Sequence, residues 1–206
     1  MLSPGDSAAQ SGRAFSLRSL PLQSIEMSQE HRQSEAFELR PHLSGDLLEL
    51  RPLRPDDWDS LFGVASDPLI WEQHPARDRY KQEVFEAFFR EALESGGALV
   101  VLDRLTRKVI GSSRYFGYDP VKSEIEIGWT FLARAYWGRK YNAELKRLML
   151  EHAFRFVKRV LFMVGPTNFR SQKALEKIGA VMIGRRERTN QQGEAIVDVV
   201  YQIEKL

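Results

Sequence analysis

The chain has no cysteine. That excludes disulfides, thiolate metal sites and a cysteine acyl-enzyme, and it fits a reducing compartment. Long apolar runs are missing as well, and none approaches the roughly 20 residues needed to span a bilayer. An excess of either charge is lacking: 30 Lys+Arg against 28 Asp+Glu leave a formal charge of +2, which gives no case for a nucleic-acid partner. There is no Gly-x-x-x-x-Gly-Lys-Ser/Thr, and no Gly-x-Gly-x-x-Gly follows a strand, so the common nucleotide-binding fingerprints are absent. No internal repeat or low-complexity segment is present. These absences predict a cytoplasmic protein with neither a nucleic-acid nor a membrane partner.

What remains is a chain of 206 residues, 43% hydrophobic and 11% aromatic. This is enough for one globular domain with an extension. Residues 1–44 are rich in Ser, Gln, Glu and Arg with weak periodicity, and read as an N-terminal arm. Arg13 precedes and Arg18 interrupts the apolar-mixed stretch from Ala14 to Leu22, which does not read as a secretory signal. Met27-Ser28-Gln29-Glu30 offers a second start, to be decided by intact mass. Residues 45–206 read as the domain.

Within it, Leu48, Leu50 and Pro52-Leu53 predict a strand, and Pro55-Asp56-Asp57 opens a helix through Trp58, Leu61 and Phe62. A second amphipathic helix covers 84–93. Strands follow at 99–102 and 109–118, and Ile125, Ile127, Trp129 and Phe131 alternate with Glu126, Gly128 and Thr130 to give another. A long helix then runs to about Lys158, with Leu145, Leu148, Met149, Ala153 and Phe156 on its apolar face. Glu144, Lys146, Arg147, Glu151 and Arg155 are assigned to solvent. His152 is likewise read as surface. A strand at 160–164, a helix at 171–178 and strands at 180–186 and 195–203 complete an α/β (α+β) chain with a mixed sheet and helices on its faces.

The turn Tyr136-Trp137-Gly138-Arg139-Lys140-Tyr141-Asn142 joins a strand to the long helix. The first N–H groups of a helix have no partner inside it and carry partial positive charge. Arg139 and Lys140 add two full charges there. The turn is either an anion site suited to a diphosphate or an ordinary solvated helix start.

Three stretches resemble one family in order and spacing. They are Arg51-Pro52-Leu53-Arg54-Pro55-Asp56-Asp57; Glu126-Ile127-Gly128-Trp129 with Tyr136-Trp137-Gly138; and Asn168-Phe169-Arg170-Ser171 before Ala174-Leu175-Glu176-Lys177-Ile178-Gly179-Ala180. Over about residues 46–204 the chain resembles the GNAT superfamily of acyl-CoA-dependent N-acetyltransferases, and the middle text is similar to its branch of ribosomal-protein N-terminal acetyltransferases. The resemblance implies a mostly antiparallel, twisted mixed sheet whose fourth and fifth strands splay apart. It implies acetyl-CoA as co-substrate, with pantetheine against the backbone of about Trp129 to Ala133, Phe131 and Leu132 among them. The pyrophosphate would rest on Gly138, Arg139, Lys140, Tyr141 and Asn142 beside Trp137. Asn168 would hold the pantetheine, with Ser171 near the sulfur.

The sequence also departs from the family pattern. Trp137, Lys140 and Asn142 stand where Gln/Arg, Gly and Gly/Ala are usual. Leu175 stands where a thiolate-protonating tyrosine is common, leaving Ser171 either that role or a plain cap. With no cysteine, direct transfer from acetyl-CoA to an amine is the expected mechanism, with strand N–H groups polarising the carbonyl. Glu126 is the first candidate base and His74 the second, each alternatively a structural side chain. Trp71, Tyr80, Arg114 and Tyr115 would shape an acceptor pocket or belong to the core. No metal is expected. The acceptor is a peptide N-terminus or small amine, and a homodimer is left open. Two other readings stand beside this one: a catalytically silent acyl-CoA-binding domain, and an interaction module using Arg185, Arg186 and Arg188.

Overall fold

The structure, a computed structural model, describes residues 36–189 and 195–205. The arm up to residue 35, the second start at Met27 and the tip of the last hairpin lie outside these residues. Strands β1 (Leu43–Ser44), β2 (Leu48–Pro52), β3 (Ala98–Asp103), β4 (Val109–Asp119), β5 (Glu124–Leu132), β6 (Arg159–Val164), β7 (Val181–Thr189) and β8 (Ala195–Glu204) form one sheet in the order 1-2-3-4-5-6-8-7. Helices α1 (Trp58–Ala65), α2 (Gln82–Glu94), α3 (Tyr141–Ala153) and α4 (Phe169–Glu176) flank it. Every neighbouring pair is antiparallel except β5 and β6, which run parallel. The mixed sheet with helices on its faces is as the sequence predicts; only the short β1 is additional.

The residues of β3 alternate between two cores, so all six are buried, as expected for a strand covered on both faces. Leu99 and Val101 pack with Ile125, Ile127, Leu145 and Met149 beneath α3, while Val100 and Leu102 pack with Leu61, Phe85 and Phe88 beneath α1 and α2. Phe85, with no exposed surface, contributes about 1.5–3 kcal/mol by its burial. Phe37 joins the first core through ring contacts to Tyr115, Tyr118, His152 and Phe156.

The Arg51–Asp57 text has a structural job. Both Arg51 nitrogens reach the Asp57 carboxylate, at 2.6 and 2.8 Å, and Asp57 also accepts the Arg54 N–H at 2.9 Å. The end of β2 is thereby clamped to the start of α1.

The sequence reading of α3 needs two corrections. It ends at Ala153, not near Lys158, because the N–H groups of Lys158 and Arg159 turn to the Ser123 carbonyl and start β6. Its assigned solvent face is also partly internal. Glu144 is buried and accepts the Asp46 and Leu47 N–H groups at 2.6 and 2.8 Å, tying the β1–β2 connection to the helix. Lys146 is buried, its Nζ donating to Thr130 Oγ1 at 2.7 Å. His152, read as surface, is buried too, with Nε2 2.8 Å from the Glu38 carbonyl.

Candidate active site

β5 and β6 pair only at Glu124–Arg159, Ile125–Val160 and Glu126–Leu161. Beyond that they part, leaving the facing edges of Trp129–Leu132 and Phe162–Val164 without a ladder between them. A bulge on β5 marks the opening: the β4 register shifts between Ser112 and Arg114, and Trp129 has φ of +52°. A bulge of this kind bends a strand and locally ends its pairing. In the sequence numbering of strands this is the expected fourth and fifth pair, shifted by one because of β1.

A cavity of about 240 Å³ fills the opening. Trp129, Thr130, Phe131 and Leu132 form one wall, and Phe162 to Gly165 the other. Gly165 admits the loop before α2 at close range, since a Cβ there would lie 2.7 Å from Pro75 Cγ. At the mouth, Trp137 donates its indole N–H to the Leu132 carbonyl at 2.8 Å, and Gly138 adopts φ of +68° to turn the chain into α3. Arg170 crosses the mouth, 3.9 Å above the Trp137 ring, and donates to the Ile70 carbonyl at 2.9 Å. The ion pair of Arg134 with Asp67 fastens the same rim.

The structure brings together Trp129, Phe131, Leu132, Trp137, Gly138, Asn142, Asn168, Ser171 and His74 around this cavity. Arg139, Lys140 and Tyr141 stand outside its lining. Arg139 and Lys140 are exposed at the α3 N-terminus, and Tyr141 donates its hydroxyl to Asp103 at 3.1 Å. Asn168 caps α4 by accepting the Ser171 N–H at 3.2 Å, which explains why this helix begins at Phe169, two residues before the expected start. His74 lines the cavity, with Nδ1 accepting the Ala76 N–H at 2.9 Å and Nε2 3.5 Å from Arg79. Leu175 is buried in the lining and offers no polar group.

Glu126 is not in the lining. Its neighbours Ile125 and Ile127 point beneath α3, so Glu126 lies on the opposite face of β5, that of α1 and α2. Its carboxylate rests over Gly128, where a Cβ would meet Oε1 at 3.0 Å. Glu124 is engaged by Arg159 at 3.4 Å and Lys122 at 3.8 Å. On the Glu126 side, buried Arg114 stacks on Trp129 at 4.6 Å, and its Nε and Nη2 have no hydrogen-bond partner among the described residues. Burial brings Arg114 down to about 10, opposed by the charges of Glu91 and Glu126. Trp71 both lines the cavity and belongs to the core, its indole N–H bonded to the Ala65 carbonyl at 2.7 Å. Tyr115 is core only: its hydroxyl donates to the Met149 carbonyl at 2.7 Å, away from any acceptor pocket.

Sequence reasoning gave no side-chain role to Thr130 and no role to Lys146 or Arg170, all of which line the cavity. Lys146 had a signal. It shares a helical face with Leu150 and Ala153 at i+4 and i+7, so it is a charge inside an apolar stripe.

Comparison with known proteins agrees with this geometry. The acetyltransferase (GNAT) domain profile matches residues 48–181. An acetyltransferase by assignment from T. thermophilus is 29% identical, covering 82% of this chain and 90% of its own, with a TM-score of 0.67. A GCN5-related N-acetyltransferase from Brucella melitensis has 21% identity, coverage of 82% and 80%, and a TM-score of 0.69. A protein assigned as a ribosomal-protein-serine acetyltransferase from Vibrio cholerae has 16% identity, coverage of 80% and 98%, and a TM-score of 0.64. The last two likenesses are of fold alone. No curated protein sequence matches. With its profile covering well over half the chain and its cleft in the expected place, this protein belongs to the GNAT family of acetyltransferases.

Proposed function

We propose that the protein moves an acetyl group from acetyl-CoA to a primary amine, on a protein N-terminus or a small molecule, by direct attack in a ternary complex. The observation that carries this reading is the gap between β5 and β6. Two unpaired strand edges and a helix N-terminus meet at one cavity, which suits an extended amide chain ending in a diphosphate. Trp129, Phe131 and Leu132 offer backbone groups to the pantetheine, and Asn168 adds a side-chain amide. The N–H groups from Gly138 to Asn142, with the charges of Arg139 and Lys140 and the Trp137 ring alongside, receive the phosphates. Ser171 offers a hydroxyl to the sulfur.

The amine approaches from the opposite face of β5, where Glu126 takes its proton; His74, in the cavity lining, is the second candidate. The resemblance of Glu126-Ile127-Gly128-Trp129 and Tyr136-Trp137-Gly138 noted above favours a peptide N-terminus. Residues 45–206 carry the activity, and the cytoplasm is the site of action; among the described residues no helix is long and apolar enough to cross a membrane.

Calorimetric titration of acetyl-CoA, followed by thiol release against a panel of amines and peptide N-termini, tests the proposal. Absence of binding overturns it. Binding without turnover on a broad panel favours a silent acyl-CoA-binding domain. In an active pairing, Glu126→Gln should lower kcat by about 10²-fold or more, the usual contribution of a general base. A loss below about threefold removes Glu126 from that role.

A further inference from the structure

Lys146 places an amine in the inner cleft with no acid among the described residues to pair it. It is 5% exposed and lines the cavity. Its Nζ donates to Thr130 Oγ1 at 2.7 Å, and Thr130 in turn lies 2.8 Å from Ser113 Oγ. Below it the Phe162 ring centre is 5.2 Å away. An ammonium has three donor hydrogens, and among the described residues this one has a single oxygen partner and an aromatic face. The other charged or titratable groups of the cavity are His74, Tyr136 and Arg170, none of them a carboxylate; Glu126 and Arg114 lie across β5 on its other face. Arg170 is committed to the Ile70 carbonyl and the Trp137 ring.

A buried cation without a counter-charge calls for an anionic guest. Coenzyme A offers negative charge in two places, its phosphates and, once the acyl group departs, its sulfur. The phosphates suit the exposed α3 N-terminus at Arg139 and Lys140. Lys146 lies more than a turn further along α3 and is buried, so the charge left for it is that of the sulfur.

We infer that the Lys146 ammonium receives the thiolate of coenzyme A in the inner cleft and gives the leaving sulfur its proton. This rests on the acetyl-CoA reading of the cleft. In the step, the acceptor nitrogen forms its bond to the thioester carbon and the C–S bond breaks, its electron pair going to sulfur. The ammonium proton of Lys146 passes to that sulfur. The proton lost by the acceptor nitrogen goes to its base and thence to water, from which Lys146 is recharged. Leu175 offers nothing here, whereas burial draws Lys146 down to about 7. An acid of that strength gives its proton readily to a thiolate, whose ordinary value is about 8.5.

The test uses coenzyme A and desulfo-coenzyme A as probes, so it needs no acceptor. Affinities are measured by calorimetry near pH 8 for the wild type and Lys146→Met, and the thiolate of the bound coenzyme is read from its ultraviolet absorbance. The wild type should prefer coenzyme A over desulfo-coenzyme A by about tenfold or more, the equivalent of one pKa unit, and, its proton having passed to the sulfur, should show bound thiol. Lys146→Met should bind both alike. Lys146→Arg, which keeps the charge without giving up a proton, should retain the preference and show bound thiolate.

An undiminished preference in Lys146→Met overturns the inference, as does an equal loss of affinity for both probes. Acetylation of Lys146 on incubation with acetyl-CoA, seen by mass spectrometry, would make it a nucleophile and also overturn it. If Lys146→Met does not fold, Thr130→Val serves instead: it removes the only oxygen among the described residues that holds the amine and should shrink the preference. Failure of the wild type to bind either probe would sink the acetyl-CoA reading itself.

Discussion

An ammonium taken out of water costs free energy unless it is paired, and among the described residues buried Lys146 has a hydroxyl and an aromatic ring beside it but no carboxylate. Its pKa falls from 10.5 to about 7. Because the folded value lies below the unfolded one, the unfolded chain holds the extra proton between the two. The penalty on folding is complete below pH 7 and is relieved as pH rises toward 10. Lys146→Met should therefore stabilise the protein at pH 6, by about 1–3 kcal/mol if it behaves like other buried charges replaced by apolar groups. The gain should shrink by pH 9.5, as urea unfolding at the two values would read. A natural sequence that keeps such a residue accepts lower stability at a working site, a trade commonly met there.

At the level of elements, the clamp between β2 and α1 carries the clearest expectation. Burial would raise the Asp57 carboxyl, but the Arg51 guanidinium and the Arg54 N–H outweigh it and hold the group below its ordinary 3.8. A depressed folded value means the stabilisation is whole above pH 3.8 and lost as pH falls through the folded value. Asp57→Asn should cost about 2–3 kcal/mol near neutrality, the range for a hydrogen bond to a charged group. The difference from wild type should narrow in acid, as chemical denaturation at pH 7 and pH 3 would reveal. This clamp was legible as text, since the acids after Pro55 sit where a helix start wants them, but its partner Arg51 was not. Helix ends were misjudged where long-range bonds intervene: Ser123 takes the N–H groups that α3 would need to continue.

For the molecule as a whole, the order of strands and helices could be read because apolar periods of two and 3.6 are written locally. The cleft could be placed only through family resemblance. Its immediate cause is the φ of +52° at Trp129, and a non-glycine residue in that conformation leaves no sequence signature. The sides of Lys146 and His152 were misread for a related reason. Charged or polar types count toward solvent in any pattern, while His152 is held inside by Glu38 and Phe37, residues 114 and more positions away.

Binding of acetyl-CoA at 100 times its Kd should raise stability by about 2.7 kcal/mol, seen as a thermal shift. Hydrogen exchange should slow at Trp129–Leu132 and Phe162–Val164 together. The short ladder between β5 and β6 has a mechanical consequence too. Three residue pairs are the whole seam between the five strands β1–β5 and the three strands β6–β8. Under a load pulling those parts in opposite directions, that seam is where the sheet would tear first, and a molecule lying along both edges would act as a stitch. The force at rupture, with and without acetyl-CoA, would measure how much of the sheet's cohesion the co-substrate lends it.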